Sequence, residues 1–267
     1  MKRWIAVLLV AIVTGLLFSS CGQKASDWAY IQQKGTLVIG YTVFEPMNYT
    51  DENGNLIGFD TELAKAVCEK LGVTPEFVEI DWENKVMELN SKRIDCAWNG
   101  MTILEELKSN IDFSVPYSEN YQACVIRKED ADKYKTTADM TKARIGVEAG
   151  SAGETTVQQD ENLSQAEVTS LTAQRNTLLE LKAGTLDVAV LDGVMALASV
   201  GDGTDFSDLM IVPGIKLSKE EYGIGFRKDS PETVAKVNEA LQELANDGTL
   251  QKLQEKYPSV MVTLKAQ

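Results

Sequence analysis

Residues 35–41 read GTLVIGY, residues 60–72 read DTELAKAVCEKLG and residues 73–80 read VTPEFVEI, and these three neighbouring segments decide the fold. The first and third are short β-rich runs typical of buried strands. The segment between them repeats leucine and valine every four residues, as on one face of a helix, and its glycine is placed to end that helix. We expect the helix to begin at Asp60 or Thr61, since either can cap its N-terminus. Strand, helix and strand in succession indicate an α/β unit with a parallel sheet.

The same alternation continues along the rest of the chain. A short helix near residues 85–89 and a strand at 94–98 extend the first unit. Three further β-rich runs indicate a second unit, and a long amphipathic helix is expected after Ser230. The sequence therefore predicts two α/β lobes. The strands expected in the second lobe are residues 143–148, 166–171 and 186–191.

The loops that follow the predicted strands are candidate binding loops, because ligands of open α/β sheets lie outside the carboxyl ends of the strands. These loops are rich in hydrogen-bonding and aromatic groups, and none of them pairs a nucleophile with a base. They contain Phe44, Asn99, Gly100, Met101, Thr102, the segment 150–153 and Asp192.

Composition narrows the class of function. The 267 residues carry 26 basic and 40 acidic side chains, for a net charge of −14. A field of that sign repels phosphate backbones, so we expect no nucleic-acid partner. The chain has no histidine, which excludes nucleophiles that depend on an imidazole base and the HExxH zinc site. We expect no enzyme activity, no cofactor and no metal site.

The N-terminus has the pattern of an export signal. Residues 1–20 combine a short basic start with an apolar run of about 15 residues, which is short for a membrane span. Cys21 follows two serines, as in a bacterial lipobox, although Phe18 stands where leucine is usual. We expect residues 1–20 to be a signal peptide, Cys21 to carry the lipid and residues 21–34 to form a tether. The alternative is a plain secretory signal with an incidental cysteine.

Three further cysteines, Cys68, Cys96 and Cys124, lie in apolar patterns without a CxxC or a metal-ligand spacing. Buried free thiols are the prediction, and one disulfide among the three is the alternative.

Seven segments between about Gly35 and Tyr257 carry a family resemblance. They read GTLVIGYTVFEPMNY, NGNLIGFDTELAKAVCEKLGV, RIDCAWNGMTILEEL, IDFSVPYSENYQACVIRK, RIGVEAGSAGE, LKAGTLDVAVLDGVMA and EYGIGFRKDSPETVAKVNEALQELANDGTLQKLQEKY. In this order and spacing they resemble the extracytoplasmic solute-binding proteins of polar amino-acid ABC importers, which form bacterial solute-binding protein family 3. The resemblance implies a type II periplasmic-binding-protein fold. In that fold two lobes, each a mostly parallel sheet flanked by helices, are joined by two hinge crossings and close over a ligand.

The family pattern also implies where the lobes divide. Lobe one takes residues 35–120 together with 222–267, and lobe two takes residues 121–221. The hinges are expected near residues 118–124 and 220–224.

Five lobe-one residues match the family's ligand contacts. Phe44 is expected to stack over the ligand side chain, and Trp82 to form a pocket wall. Asn99, Gly100 and Thr102 match the loop that offers backbone groups and a hydroxyl to the amino and carboxyl ends of the ligand.

Three lobe-two residues complete the expected site. Ser151 and Ala152 match a pair that meets the ligand carboxylate at a helix N-terminus, where free N–H groups and the helix dipole favour an anion. Ala152 lacks the hydroxyl usual at its position. Asp192 matches the acid that pairs with the α-ammonium, which is a charge-assisted contact.

One departure from the family concerns the carboxylate. The family's run Ile-Thr-x-x-Arg supplies an arginine that grips the carboxylate, and Leu107 occupies its place here. Lys108 is turned about 100° aside on a helix, and an ammonium lacks the planar fork of a guanidinium. Lys85 is a second candidate for the missing cation.

Two classes of ligand follow from this departure. In the first, the ligand is an amino acid held by the helix N-terminus, Thr102 and Asp192, with a lysine as substitute. In the second, it is an amine or quaternary ammonium cation without a carboxylate, held by Asp192 in an aromatic cage of Phe44, Trp82 and Trp98.

The resemblance implies a binding protein that captures a small polar solute by lobe closure and delivers it to ABC permease subunits. We expect a monomer outside the cytoplasm, either lipid-anchored to the outer face of the cell membrane or periplasmic. One rival is an enzyme on the same lobes, with carboxylates such as Glu83, Glu148 or Asp192 as acid or base. Turnover by the purified protein would reveal it. Another rival is the sensing module of a receptor, which would need a separate partner because the chain ends at Gln267 without a second span.

Overall fold

The computed structural model describes residues 26–267, which form two β-sheets covered by helices and one small two-stranded ribbon. The helices are α1 (Asp27–Lys34), α2 (Phe59–Leu71), α3 (Lys85–Asn90), α4 (Ala152–Gln159), α5 (Gln174–Ala183), α6 (Gly193–Ser199), α7 (Pro231–Asn246) and α8 (Thr249–Lys256). The strands are β1 (Thr36–Tyr41), β2 (Tyr49–Thr50), β3 (Leu56–Ile57), β4 (Thr74–Glu79), β5 (Cys96–Thr102), β6 (Ile111–Phe113), β7 (Ser118–Asn120), β8 (Gln122–Arg127), β9 (Arg144–Glu148), β10 (Glu167–Leu171), β11 (Val188–Asp192), β12 (Leu209–Ile211), β13 (Glu220–Arg227) and β14 (Met261–Val262).

The larger sheet has seven strands in the order β14-β7-β13-β5-β1-β4, with β6 also paired to β13. Its parallel part is confined to β4, β1 and β5, and β13 pairs antiparallel with β5, β6 and β7. This sheet is therefore mixed rather than mostly parallel, because β13 returns to it from the other sheet and runs against its neighbours. We refer to this sheet and its helices as lobe one.

The second sheet has five strands in the order β10-β9-β11-β8-β12. Strands β10, β9 and β11 are parallel, and β8 and β12 add antiparallel pairs at the other edge. We refer to this sheet and its helices as lobe two. Its three parallel strands lie where the sequence predicts them, with shifts of one or two residues at their ends.

The chain crosses between the two sheets at neighbouring points. Strand β7 pairs in the lobe-one sheet up to Asn120, and β8 pairs in the lobe-two sheet from Gln122, so Tyr121 carries the first crossing. The return runs between β12 and β13, and β13 begins at Glu220, which lies directly opposite Asn120 in the antiparallel ladder. Two adjacent crossings leave the sheets free to rotate about a common line, as a hinged pair requires.

Helix α1 corrects the expected tether. The segment 27–34 is a helix capped by the Ser26 hydroxyl, which accepts a hydrogen bond from the backbone N–H of Ala29 at 3.2 Å. Trp28 and Ile31 on this helix are buried in the lobe-one core, so residues 27–34 belong to the lobe rather than to a linker. The predicted signal peptide and lipid site at Cys21 lie outside the described residues.

Helix α2 begins slightly before the start that the sequence predicts, and it uses neither predicted cap. It starts at Phe59 after Gly58, and Asp60 does not cap it. The Asp60 carboxylate instead accepts hydrogen bonds from the N–H of Gly100, at 2.6 Å, and from the hydroxyl of Tyr117, at 2.8 Å. The predicted C-terminal glycine, Gly72, ends the helix with a φ of 69°.

The cysteines of the described region, Cys68, Cys96 and Cys124, are free and buried, as predicted, and the disulfide alternative is wrong. Burial raises the pKa of the Cys68 and Cys124 thiols to about 12, so both are protonated and unreactive near neutral pH. Between residues 26 and 267, no helix is long and apolar enough to cross a membrane.

Candidate ligand-binding site

A narrow, partly open cavity lies between the two lobes, and we call it the interlobe cavity. Its lobe-one wall comes from β5, α3 and the segments before α3 and after β5. Its lobe-two wall comes from the ends of β9 and β11, the start of α4 and α5. The lobe-two residues that line it are Glu148, Gly150, Ser151, Ala152, Gln174 and Asp192.

Strand β5 is longer than its apolar pattern indicates. The sequence predicts a strand that ends at Trp98, but β5 runs on to Thr102, so Asn99, Gly100 and Thr102 lie within the strand and not in a loop. The extension is stabilised by β13, which pairs Tyr222 with Thr102 across the sheet. The ligand-facing backbone of lobe one is therefore part of a hydrogen-bonded sheet.

Gly100 is required where β5 passes the cavity. Its φ is 56°, in the left-handed region, and its N–H is bonded to Asp60. A Cβ atom at this position would lie 2.8 Å from a ring carbon of Phe44 and 3.1 Å from the ring of Tyr222. Only glycine lets the two rings close over the strand at this point.

Asn99 uses its whole side chain to hold a neighbouring segment. Its amide oxygen accepts hydrogen bonds from the N–H and hydroxyl of Thr42, at 3.0 and 2.7 Å. Its amide nitrogen donates to the carbonyl of Thr42 at 2.9 Å and to the side chain of Asn48 at 2.7 Å. The Asn99 side chain thus positions the segment around Phe44, and only the Asn99 backbone remains for a ligand.

The three aromatic candidates have different places in the fold. Trp82 lines the interlobe cavity, with the Lys85 ammonium 5.1 Å from the centroid of its ring. Phe44 is buried in the core against Gly100 and is not among the lining residues. Trp98 is fully buried within the core of lobe one. Of the eight candidate site residues, the structure brings all except Phe44 to the cavity wall.

Helix α4 points its N-terminus at the cavity. The hydroxyl of Ser151 caps the helix by accepting a hydrogen bond from the N–H of Glu154 at 3.1 Å. Ala152 is the first helical residue, and the first N–H groups of a helix have no partner within it. These N–H groups and the positive end of the helix dipole form a potential binding site for an anion.

Asp192 is the last residue of β11 and is held by donors from both lobes. Its carboxylate accepts hydrogen bonds from the amide of Gln122 at 3.0 Å and from the hydroxyl of Tyr222 at 2.8 Å. The side-chain amides of Asn120 and Gln174 also donate to it. Since Asn120 and Tyr222 belong to lobe one, this acid connects the lobes at the hinge crossings.

Glu220 is a second buried acid beside Asp192, and no sequence pattern distinguishes it from the other acids. Its carboxylate accepts hydrogen bonds from Thr102 at 3.0 Å, Asn120 at 2.9 Å and Gln122 at 3.1 Å. The same two amides therefore serve both acids. Burial, followed by the charge of Glu220, raises the pKa of Asp192 above its usual range.

Lys85 is the cation of the cavity. Its side chain is buried, and its ammonium donates to the carbonyl of Trp82 at 3.2 Å and, across the cavity, to the carbonyl of Gly150 at 2.8 Å. Burial lowers the pKa of Lys85 to about 8, an effect opposed by the nearby charge of Glu148. This lysine is half of a polar contact that closes the two lobes on each other.

Leu107 and Lys108 occupy different environments at the position of the family's arginine. Leu107 lines the cavity and packs against the apolar residues around Trp82. Lys108 is exposed and pairs with Glu105 at the surface, so it does not enter the cavity. Between these two and Lys85, only Lys85 presents a cation to the cavity.

The chain matches a described protein family over most of its length. Residues 37–260 match the bacterial extracellular solute-binding proteins, family 3. The arginine-binding extracellular protein ArtP of Bacillus subtilis (strain 168) is 32% identical over 263 residues, which cover 96% of this chain and 98% of that protein. The L-cystine-binding protein TcyJ of Escherichia coli (strain K12) is 30% identical over 258 residues, which cover 96% of this chain and 95% of that protein.

The fold also matches solved structures. An ancestral arginine-binding protein bound to arginine is 39% identical, with a TM-score of 0.78, over 84% of this chain and 98% of that one. A similarity of this extent agrees with the two-lobed α/β fold expected from the sequence.

Proposed function

Because the chain belongs to the bacterial extracellular solute-binding proteins, family 3, we propose that it binds an α-amino acid outside the cytoplasm and delivers it to an ABC permease. The observation that carries the proposal is the pairing, in one cavity, of a buried acid with a helix N-terminus. Asp192 offers negative charge, and the first N–H groups of α4 offer positive charge. A zwitterion presents the complementary charges to both.

The α-ammonium is proposed to bind Asp192. This carboxylate is buried and already organised by four donors, so it is held in place before a ligand arrives. A charge-assisted contact with an ammonium replaces some of these donors and neutralises a charge that burial disfavours. Binding is therefore coupled to rearrangement where the lobes meet.

The α-carboxylate is proposed to bind Thr102, the Ser151–Ala152 helix terminus and Lys85. Lys85 lies in the cavity wall and reaches across to Gly150, one residue before Ser151. Its ammonium gives the positive charge that Leu107 does not, although without the bidentate geometry of a guanidinium. The departure from the family's arginine is thus met by a cation from another helix.

Closure follows from the division of these contacts between the lobes. Lys85 and Thr102 come from lobe one, and Ser151, Ala152 and Asp192 come from lobe two. Only the closed state uses all of them, so a ligand that binds them shifts the population towards closure.

The amine-cage alternative has less support in the cavity. Of its three aromatic residues only Trp82 lines the space, while Phe44 and Trp98 are in the core. A cage for a quaternary ammonium needs several aromatic faces towards one point. The arrangement favours an amino acid over a cation without a carboxylate.

We propose further that the protein is a monomer without enzymatic activity, and that Cys21 anchors it to the outer face of the cell membrane. Recovery of an amino acid unchanged after prolonged incubation with the purified protein would support binding alone. A new product formed from the amino acid in the same incubation would show that the protein is an enzyme.

A thermal-shift panel tests the proposed function. The protein from Ser26 to Gln267 is unfolded and refolded to remove any bound solute, and then melted with amino acids, their decarboxylated amines and quaternary ammonium compounds. A ligand at 100 times its Kd adds about 2.7 kcal/mol of stability, which raises the Tm by several degrees at this size. We expect a shift with one or a few amino acids and none with the matching amines. Shifts with amines alone would contradict the proposal.

Restoring the family's arginine is expected to tighten binding. In Leu107→Arg the guanidinium enters the cavity wall where a carboxylate lies, and a bidentate charge-assisted pair is worth about 1.5–3 kcal/mol. We expect about ten- to hundredfold stronger binding of the amino acids that shift the wild-type protein, measured by calorimetry. Leu107→Met, which keeps the volume without the charge, is the matched control. Unchanged or weaker affinity in the arginine variant would argue against a carboxylate at this position.

A further inference from the structure

Glu148 is a buried acid of the interlobe cavity with an unused oxygen. It ends strand β9, its side chain is 3% exposed, and it lines the space next to Asp192. Its Oε1 atom has no hydrogen-bond partner within residues 26–267. A buried carboxylate oxygen without a partner is costly, and it points to a group that arrives from outside the chain.

The groups around Glu148 do not supply that partner. Lys85 on α3 faces it, but the lysine ammonium is bonded to the carbonyls of Trp82 and Gly150, and no ion pair within 4.0 Å joins it to Glu148 among the described residues. The backbone and side chain of Gln174 on α5 stabilise the charged form of Glu148 through hydrogen bonds, but that side chain is also bonded at both ends to Asp192, and Oε1 of Glu148 keeps no partner.

The remaining charges near Glu148 are mostly negative. Among the nearby charges, that of Asp192 has the largest effect on the pKa of Glu148. Glu83 in lobe one and Glu154 in lobe two are close enough to Lys85 to raise its pKa. Glu148 and Asp192 line the cavity, Glu220 lies beside Asp192, and Lys85 is the one cation among the described residues that line the cavity, so acids are in excess there. A zwitterion with a neutral side chain adds no net charge to this excess, whereas a basic amino acid adds one positive charge.

We propose that Glu148 binds the cationic side chain of the ligand and so selects basic amino acids, an inference that rests on the proposed function. A guanidinium or ammonium satisfies the free oxygen and offsets the excess of acids. The aliphatic stem of such a side chain has apolar contacts available at Trp82, Leu104 and Leu107, which line the same cavity.

Calorimetric titration with arginine and citrulline tests this role. Citrulline has nearly the shape of arginine but a neutral side chain, so the ratio of the two Kd values isolates the charge. We expect the wild-type protein to bind arginine about ten- to hundredfold more tightly than citrulline. In Glu148→Gln the ratio is expected to fall to near one, with citrulline binding maintained. Glu161→Gln, which removes an exposed acid of the same lobe, is the matched control and should keep the wild-type ratio.

The pH dependence of arginine binding gives an independent readout. Burial and the charge of Asp192, opposed by Lys85, raise the pKa of Glu148 to about 8. A cationic ligand needs the ionised carboxylate, so arginine binding should strengthen as the pH rises from 6 to 8. Asp192 titrates in the same direction, and Lys85, whose pKa is about 8, opposes both because it begins to lose the charge that holds the ligand carboxylate. The part of the slope that disappears in Glu148→Gln is therefore the contribution of Glu148. An identical slope in the variant would show that Glu148 does not contact the cation.

The outcomes separate this inference from the proposed function. If neutral amino acids bind and basic ones do not, the amino-acid function stands and the role of Glu148 is wrong. If the wild-type protein binds arginine and citrulline equally, the same conclusion follows. If no amino acid binds while simple amines do, the proposed function fails as well. If Glu148→Gln binds neither ligand, its melting temperature shows whether the variant is folded. Glu148→Asp then tests the role of the charge. The aspartate keeps the charge, so this variant should still prefer arginine over citrulline in part, and a ratio of Kd values near one would contradict the inference.

Discussion

Replacing Asp192 with alanine is expected to abolish detectable amino-acid binding while the protein stays folded. The carboxylate is buried between the lobes, and loss of one partner of a buried charge pair costs about 2–5 kcal/mol of binding free energy. That corresponds to a Kd weaker by about thirty- to several thousandfold. Calorimetry on the ligand identified by the thermal-shift panel measures the loss. Asp202→Ala removes an exposed acid of the same lobe and serves as the control.

A second substitution at the same position separates binding from stability. Burial and Glu220 raise the pKa of Asp192, so the folded protein holds this proton to a higher pH than the unfolded chain does. Stability from this group is therefore lost as the pH rises from about 4 towards neutrality. Asp192→Asn removes the charge and keeps an acceptor for the surrounding amides, so without ligand its Tm at pH 8 should equal or exceed that of the wild type. Micromolar affinity in either variant would overturn the ammonium contact.

Replacing Arg227 with methionine is expected to lower the free energy of unfolding by about 3–5 kcal/mol, because it leaves the largely buried carboxylate of Asp27 without its cation and removes one of the two cations that pair with the buried Asp95. Arg227 is buried at the end of β13, and its guanidinium donates to Asp27 at 2.8 Å and Asp95 at 2.9 Å. It also donates to the carbonyls of Leu89 and Ile94. One side chain thus connects the end of β13 to helix α1, to helix α3 and to the segment that leads into β5.

Urea unfolding of the ligand-free protein measures this effect. Arg93→Met removes an arginine that is 56% exposed and paired with Glu88, and it should change the unfolding free energy by less than about 1 kcal/mol. Asp27→Asn weakens only the link to α1 and should cost about 1–3 kcal/mol, which keeps the test informative if Arg227→Met does not fold. A loss below about 1 kcal/mol in Arg227→Met would show that the network is not a major source of stability.

The local patterns predicted most of the lobe-two strands and the ends of several helices, because these features depend on nearby residues. Gly72 and Gly184 end helices with positive φ, and Pro231 opens α7. Strand β5 was predicted too short because its second half depends on a distant residue pairing. Its second half is polar and contains Gly100, and it is a strand because β13, more than a hundred residues later, pairs with it.

The site residues also differ in whether nearby sequence or distant contacts reveal them. Asp192 follows an apolar strand and matches a family position, so the sequence identifies it. Its donors from lobe one, Asn120 and Tyr222, reach it only because two crossings of the chain lie side by side. Glu220 and Glu148 are two acids among 40, and no spacing distinguishes a buried one. Helix α1 was missed because two apolar residues, Trp28 and Ile31, form too short a pattern to separate a helix from a linker.

A crystal structure of the refolded protein with the amino acid that gives the largest thermal shift tests the central claim most directly. We expect a ligand in the interlobe cavity, with its ammonium within hydrogen-bond distance of Asp192 and its carboxylate at the N-terminus of α4 with Thr102 and Lys85. A ligand that lies outside this cavity, or that places its carboxylate away from both the helix terminus and Lys85, would contradict it.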